Sequence, residues 1–289
     1  MTKPKAMLLI LLGGTCMSFV GLVLRLIDTA DGLQILTWRS LSLAMMVALV
    51  ACLKRRIGLL DFLRSLDRDD FYMGAALALA FATYVFSMLA TSVASTLFIL
   101  TSTPFLSALI GWVWIGERPR PATWLAILAG MLGVGLMIKD GSDLGRNTGN
   151  LLALVSAVAF STMLVLARRS RKQDVLGGTF LGGALAVLIG GVFAVTLGQG
   201  LWASGHDIAL SLFMGAFTIG IGIAFVTWGT PYVPAAEVSL LVLVESVLGP
   251  VWVWLFLDER MRPTEMLGGA ILLAAVTFLG LIARQGERG

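Results

Sequence analysis

The chain is short of charge, of histidine and of cysteine. Only 13 % of its 289 residues are Asp, Glu, Lys or Arg, against roughly 25 % in a soluble domain that must keep its surface wet. That shortage excludes an ordinary water-soluble globular fold. The two cysteines, Cys16 and Cys52, both fall inside apolar runs, so neither a disulfide framework nor a cysteine-rich metal site is expected. They read as small packing residues. The single histidine, His206, stands in the short segment 198–207, and a lone loop histidine carries no metal or catalytic assignment. A phosphate cradle is missing as well. The glycine-rich fragments around Gly133 and Gly220 lie in apolar runs and lack the Lys-Ser/Thr pair such a loop needs. No metal and no cofactor is expected, and any energy for work has to come from a gradient.

What the chain has instead is apolar length. Hydrophobic residues make up 58 % of it, and the mean hydropathy is +0.92. The few charges are clustered, leaving runs of about 20 residues, the length that crosses the hydrocarbon core of a bilayer. Ten such runs follow: 6–26, 33–53, 71–89, 94–116, 121–139, 149–168, 175–197, 208–228, 235–257 and 264–283. The expected fold class is an all-α integral membrane protein with ten transmembrane helices and no room for a separate soluble domain. The start, "MTKPKAMLLILLGGTC", has the outline of a signal peptide or lipoprotein site. Gly13 stands where a lipoprotein site wants an aliphatic residue, however, and the apolar character runs on to Leu24. It reads as the first span.

Charge placement fixes an orientation. With a cytoplasmic N-terminus, Arg25, Lys139, Arg146, Arg260 and Arg262 fall outside. Arg39 lies within the second span, and all the other basic residues fall inside. This is the positive-inside pattern with both termini cytoplasmic. The net charge of +4 therefore reports an orientation in the lipid bilayer, and no nucleic-acid partner is expected.

A phrase is written twice. "WVWIGERPRP", Trp112 to Pro121, returns as "WLFLDERMRP", Trp254 to Pro263, 142 residues later. Around it "YMGAALAL" (72–79) answers "FMGAFTIG" (213–220), and "LLGGTCMSFVGLVLR" (11–25) loosely answers "LVSAVAFSTMLVLAR" (154–168). Two units follow, residues 1–140 and 148–284, each with five spans. Five is odd, so the second copy enters the membrane from the opposite side: an inverted repeat. Such repeats suit alternating access, with the substrate held near the midplane where the halves meet. In the repeated phrase, Pro121 and Pro263 suit the first turn of the following helix. Glu117, Arg118, Glu259 and Arg260 read as a structural clamp, the arginines on the last carbonyls of the preceding helix and the glutamates balancing them. The other reading is a lock that breaks during transport.

These features resemble the EamA domain pair of the drug/metabolite transporter superfamily: five-plus-five inverted spans, each half closed by "GWVWIGERPRP" or "VWVWLFLDERMRP". The likeness covers essentially the whole chain. One departure is Asp258 where the first half has Gly116. Within the superfamily the chain is most similar to the YddG-type exporters of aromatic and other neutral amino acids. The resemblance implies a multi-pass protein of a bacterial inner membrane that exports a small-molecule substrate of that kind.

The residues themselves suggest where such a substrate sits. Pro104 and Pro250 free the carbonyls of Leu100 and Ser246, and a bilayer tolerates that only where other groups take up the released partners. Both are expected to break their helices at similar depth, beside Thr101, Ser102, Thr103, Glu245 and Ser246. A broken pair in equivalent positions points to a binding site; a plain kink is the alternative. Glu245 is the acid deep inside a span, where an ionised carboxylate costs about 2.5–3.5 kcal/mol. It could meet a substrate ammonium, carry a proton, or pair with an internal Arg or Ser. Arg39 either snorkels outward to Asp28 or Asp31 or attracts a substrate carboxylate. Tyr84 and Trp228, on the spans paired with the broken ones, could supply an apolar wall with a polar tip. Trp112, Trp114, Trp252 and Trp254 read as interfacial belt residues. Gly178, Gly182, Ala186 and Gly190 form a smooth ridge that lets helices approach closely. Other cargoes on the same fold remain open: a drug, a sugar or a nucleotide-sugar. An intramembrane enzyme would need an acid, base or metal cluster that the spans do not supply, so the chain is not expected to be an enzyme.

Overall fold

A computed structural model describes the chain except residues 117, 118, 120, 140–143, 171, 173, 198, 199, 234 and 287–289. Among the described residues, nine helical stretches are long and apolar enough to cross a membrane. They are Lys3–Arg25, Gly32–Arg55, Arg68–Ala90, Val93–Ile115, Gly145–Ser170, Leu176–Thr196, Gly205–Tyr232, Leu240–Leu257 and Pro263–Ile282. Between the fourth and the next of these lies the helix Pro121–Lys139, whose apolar stretch is Thr123–Met137. Numbered in chain order, these are the ten spans expected from the sequence.

Local signals account for several ends. Asp31 caps the second span by accepting from the N–H groups of Leu33 and Gln34, and Gln34 reaches back to the Asp31 N–H. Asp67 and Asp70 make the same reciprocal box at the start of the third span. Each box satisfies amides that the helix itself leaves without partners. Gly116 ends the fourth span with φ +78° and Asp258 ends the ninth with φ +51°. At the second position Gly would avoid the left-handed strain that Asp accepts, which is the physical meaning of the Gly116/Asp258 departure.

Cross-chain bonds sort the span ends onto two faces. On one face Lys3 meets Glu237 at 2.9 Å, Arg55 meets Asp174 at 2.8 Å, and Lys172 bridges Asp67 at 2.8 Å and Asp70 at 2.5 Å. Burial works to raise the Asp174 carboxyl, but the Arg55 hydrogen bond and the charges of Arg55 and Lys54 hold it below the usual carboxylate value. On the other face Arg25 meets Glu259 at 2.8 Å and Arg146 meets Glu265 at 2.9 Å. The first span therefore starts on the face where the sixth ends, and the halves are inverted.

The repeat also governs which spans touch. The first packs on the eighth and ninth, and their repeat mates, the sixth against the third and fourth, pack likewise. The second pairs with the seventh and the fifth with the tenth. Three contacts between the first and ninth spans share one separation of 234 residues: Lys3–Glu237, Ser18–Trp252 and Arg25–Glu259. Such constancy means two parallel helices in register. Their mates, the fourth and sixth, are tied over separations of 58 to 61 by Thr91–Asn150, Ser161 to the Thr103 carbonyl, and Arg168 to the Ser107 carbonyl.

The ridge on the seventh span packs between the second and third. Gly178, Gly182, Ala186 and Gly190 are all buried, and a Cβ on Gly178 or Gly182 would meet Met73 or Leu77 at 2.7 or 2.9 Å. Trp252 corrects one expectation. It is not simply an interfacial belt residue, since it stacks on Phe19 with centroids 4.9 Å apart and donates to the Ser18 hydroxyl. Trp112, Trp114 and Trp254 are exposed.

Candidate functional site

Both halves break a helix at the same place. The fourth span divides into Val93–Leu100 and Thr103–Ile115, and the ninth into Ala235–Val242 and Val244–Leu257. The interruptions at 101–102 and at 243 are related by the 142-residue spacing of the repeat. In the fourth span, Pro104 stands in the first turn of the second half-helix. The carbonyl it cannot reach, that of Leu100, accepts from the Thr103 hydroxyl at 2.6 Å. Thr101 and Ser102 donate in the same way to Phe98 and Ile99 at 2.5 and 2.6 Å. The Thr-Ser-Thr run thus supplies what an apolar medium cannot. Pro250 is different and corrects the sequence reading: it lies inside Val244–Leu257, seven residues past the break. There the turn closes by a short bond from the Ser246 N–H to the Leu243 carbonyl.

Between the half-helices lies a cavity of about 390 Å³. Four pairs of repeat-equivalent positions line it together: Leu100 and Val242, Thr101 and Leu243, Thr103 and Glu245, Pro104 and Ser246. Met17, Val20, Arg39, Ala80, Phe81, Tyr84, Leu97, Ser156, Phe160, Ile219, Val238 and Val276 complete the wall. It is mostly apolar, at the depth where the two repeats meet. Of the residues expected at a substrate site, Arg39, Tyr84, Thr101, Thr103, Glu245 and Ser246 are brought together here. Ser102 is buried but does not line the cavity. Trp228 lies outside it, 37 % exposed.

An acid, Glu245, and a base, Arg39, line this space. Glu245 has neither a hydrogen bond nor an ion pair among the described residues. Arg39 is 1 % exposed, which overturns the snorkelling reading: its side chain turns inward, and Asp31 is engaged in capping the helix. Its guanidinium carbon lies 5.2 Å from the Phe81 ring centroid and 5.6 Å from that of Tyr84. The hydroxyls of Thr101, Thr103 and Ser156 all donate to backbone carbonyls. What they still offer a ligand is acceptor capacity.

About one turn beyond the cavity, the face carrying Arg25 is closed. Arg25 donates through Nε to Glu259 at 2.8 Å, through Nη1 to the Met88 carbonyl at 2.7 Å and through Nη2 to the Thr91 carbonyl at 2.8 Å. Glu259 also accepts from the Val93 N–H, so four spans meet there. Beside it the buried Glu265 accepts from Ser92, Ser95, Arg146 and the Arg262 N–H. The expected clamp is therefore built differently: the partner of Glu259 is Arg25, while Arg260 is exposed and bonds Asp258 at 3.3 Å. Glu117 and Arg118 lie outside the described residues. The positions equivalent to Met88–Thr91 at the opposite face are 230–233, where Thr230, Pro231 and Tyr232 are exposed. One face is bridged by the Arg25 network, and at the other the equivalent helix end is exposed at Thr230, Pro231 and Tyr232 while Val233 is buried.

Three features gave no clear sequence signal. The first span is interrupted at Phe19, the eighth carries a π-helical stretch at Met214–Ile221, and Phe81 and Phe160 line the cavity. Gly215 in that stretch lies so close to the second span that a Cβ would fall 1.9 Å from the Arg39 carbonyl oxygen. Among the described residues, Asp28, His206 and Asp207 bring metal-type ligand atoms within 4.8 Å of one another. The Asp207 carboxylate there already accepts from the N–H groups of residues 28–30 and the Thr29 hydroxyl, and so holds that loop.

Inverted halves, equivalent helix breaks and a cavity lined by both repeats beside those breaks define a carrier-type membrane protein. The chain belongs to the EamA-like transporter family, whose model matches it twice, over residues 4–139 and 147–281. It is a multi-pass secondary transporter of a small solute and not an enzyme. An uncharacterized transporter of Archaeoglobus fulgidus is 27 % identical over 68 % of this chain and 71 % of its own length. The uncharacterized transporter YwfM of Bacillus subtilis is 21 % identical over 66 % and 65 %. A riboflavin transporter of Rhizobium johnstonii is 26 % identical over 70 % and 66 %. One solved crystal structure superposes with a TM-score of 0.68 over 98 % of this chain and 99 % of that one, at 20 % identity, which shows the fold alone.

Proposed function

We propose that the chain exports small neutral amino acids, aromatic ones included, by alternating access through the cavity between its repeats. The cytoplasmic termini and the bacterial inner membrane expected from charge placement and family likeness complete this reading. The observation that carries it is Glu245: a carboxyl group without a hydrogen-bond or ion-pair partner among the described residues, in a mostly apolar cavity whose neighbouring hydroxyls of Thr101 and Thr103 are left as acceptors. Such a group suits a substrate ammonium. Phe81, Tyr84 and Phe160 suit an apolar or aromatic side chain. The equivalent breaks at 101–102 and 243 let the half-helices move against one another while the cavity stays between them.

The test is flux in liposomes containing the purified protein. Labelled phenylalanine and leucine should cross, and Glu245→Gln should lower that flux about tenfold or more, as expected when a charge-assisted contact of about 1.4 kcal/mol or more is lost. Full activity of the variant across pH 5–8 removes Glu245 from the mechanism. The riboflavin-transporting relative supports a second cargo. Flux of riboflavin without any of amino acids would replace the present reading with that one.

A further inference from the structure

Arg39 heads the large side chains that this fold buries completely. Two of its nitrogens, Nε and Nη2, are shielded from water and have no hydrogen-bond partner among the described residues. They belong to one edge of the guanidinium, along which two N–H groups point in parallel. A carboxylate can accept from both at once, in the two-bond fork that distinguishes Arg from Lys. The protein contains its own control. Arg25, which has a structural task, has Nε on Glu259 and its terminal nitrogens on the Met88 and Thr91 carbonyls. Arg39 is held otherwise. The rings of Phe81 and Tyr84 lie against it, and the Gly215 backbone abuts its main chain. Second, third and eighth spans thus converge to fix an arginine beside a cavity and leave its forked edge unsatisfied.

We infer that Arg39 determines specificity by requiring a carboxylate on the transported solute, which it receives side-on through Nε and Nη2. Phe81 and Tyr84 are its positioning residues. The inference rests on the amino-acid reading of this cavity and narrows it: the carboxylate goes to Arg39 and the ammonium toward Glu245, both of which line the same cavity as Tyr84. The carboxylate reaches the edge when the wall that carries Tyr84 yields on loading. A solute with the same side chain and no carboxylate leaves the edge empty and is refused. A site built to bond a group rejects the analogue that lacks it by far more than an apolar pocket discriminates by size.

Counterflow in liposomes tests this with L-phenylalanine, L-phenylalaninamide and phenethylamine, which share one side chain. Wild type should prefer phenylalanine by about 100-fold or more. Arg39→Gln should collapse that ratio toward one, and Arg39→Lys, which keeps the charge without the fork, should fall between. The ratio is the readout because a merely structural arginine would lower all three fluxes together. Thermal shift of the purified wild type gives a second measure that needs no variant: phenylalanine should protect and phenethylamine should not. Equal protection, equal wild-type fluxes, or an unchanged ratio in Arg39→Gln would overturn the role of Arg39. If wild type carries 2-oxo acids in an Arg39-dependent way but no amino acid, the amino-acid reading fails while Arg39 keeps its role. Amino-acid flux indifferent to Arg39 gives the opposite division.

Discussion

Replacing Arg25 by Gln should open the face that the structure shows closed. The substitution removes three charge-assisted hydrogen bonds, to Glu259, Met88 and Thr91. A hydrogen bond to a charged group contributes about 1.5–3 kcal/mol, but the Arg25 and Glu259 side chains are 24 % and 23 % exposed, and water replaces part of what is lost. Allowing about 1 kcal/mol for each bond gives about 3 kcal/mol in favour of the closed face, roughly a 100-fold change in its population ratio. Leu97 reads that population: it lines the cavity one turn below Val93 and is 4 % exposed. In a background with Cys16 and Cys52 changed to Ala, Leu97→Cys should react slowly with an impermeant thiol reagent applied to the Arg25 face. Adding Arg25→Gln should raise the rate by about two orders of magnitude. Glu259→Gln keeps the two carbonyl bonds and should give about a fivefold rise. A rate unchanged within about twofold in folded Arg25→Gln protein would refute closure by this network.

Three other outcomes follow from the packing. Glu265→Ala leaves Arg146 and two hydroxyls without their shared acceptor; a loss of about 3–5 kcal/mol should lower the melting temperature in detergent by roughly 5–15 °C, and a change below about 2 °C would show the network to be dispensable. Gly215→Ala places a methyl 1.9 Å from the Arg39 carbonyl oxygen and 2.2 Å from the Ser42 hydroxyl; it should abolish folded yield or flux. Gly205→Ala, with nothing within 4 Å, should be neutral, so equal behaviour of the two variants would contradict the close approach. Gly205→Cys should react with impermeant reagent added outside intact cells, whereas labelling only after lysis reverses the orientation.

The spans were legible because a bilayer demands long apolar runs whatever packs beside them, and the inversion because an odd number of crossings leaves no choice. The break at 101–102 was legible too: Thr-Ser-Thr-Pro carries both the cause of the break and the hydroxyls that compensate it. Pro250 misled because proline removes a bond without dictating where the helix parts, and its helix parts about two turns earlier, at Leu243. Arg39 was visible as a charge in a span, but its direction depends on rings more than forty residues away on the third span and on Gly215 in the eighth. The same holds for Arg25 and Glu259. Their pairing needs the parallel register of the first and ninth spans, which no local pattern announces. The interruption at Phe19 has no proline or glycine beside it, and its repeat mate, in the sixth span, is continuous.

Symmetry and its violation fall on different parts of the molecule. The backbone keeps the twofold relation where motion needs it: equivalent breaks, equivalent parallel pairs, and one set of helix ends closed while its counterpart is exposed. The side chains abandon it where a solute needs a fixed pose. At the 142-residue spacing Thr103 answers to Glu245, Thr101 to Leu243 and Arg39 to Leu181. A chemically symmetric cavity would hold a zwitterion in two opposed poses with equal affinity. With the acid in one half and the guanidinium in the other, only one pose satisfies both charges. On the proposed reading that pose would be defined by Arg39 and Glu245 and not by whichever face is open, so the carrier would exchange its two conformations around a solute that does not itself turn.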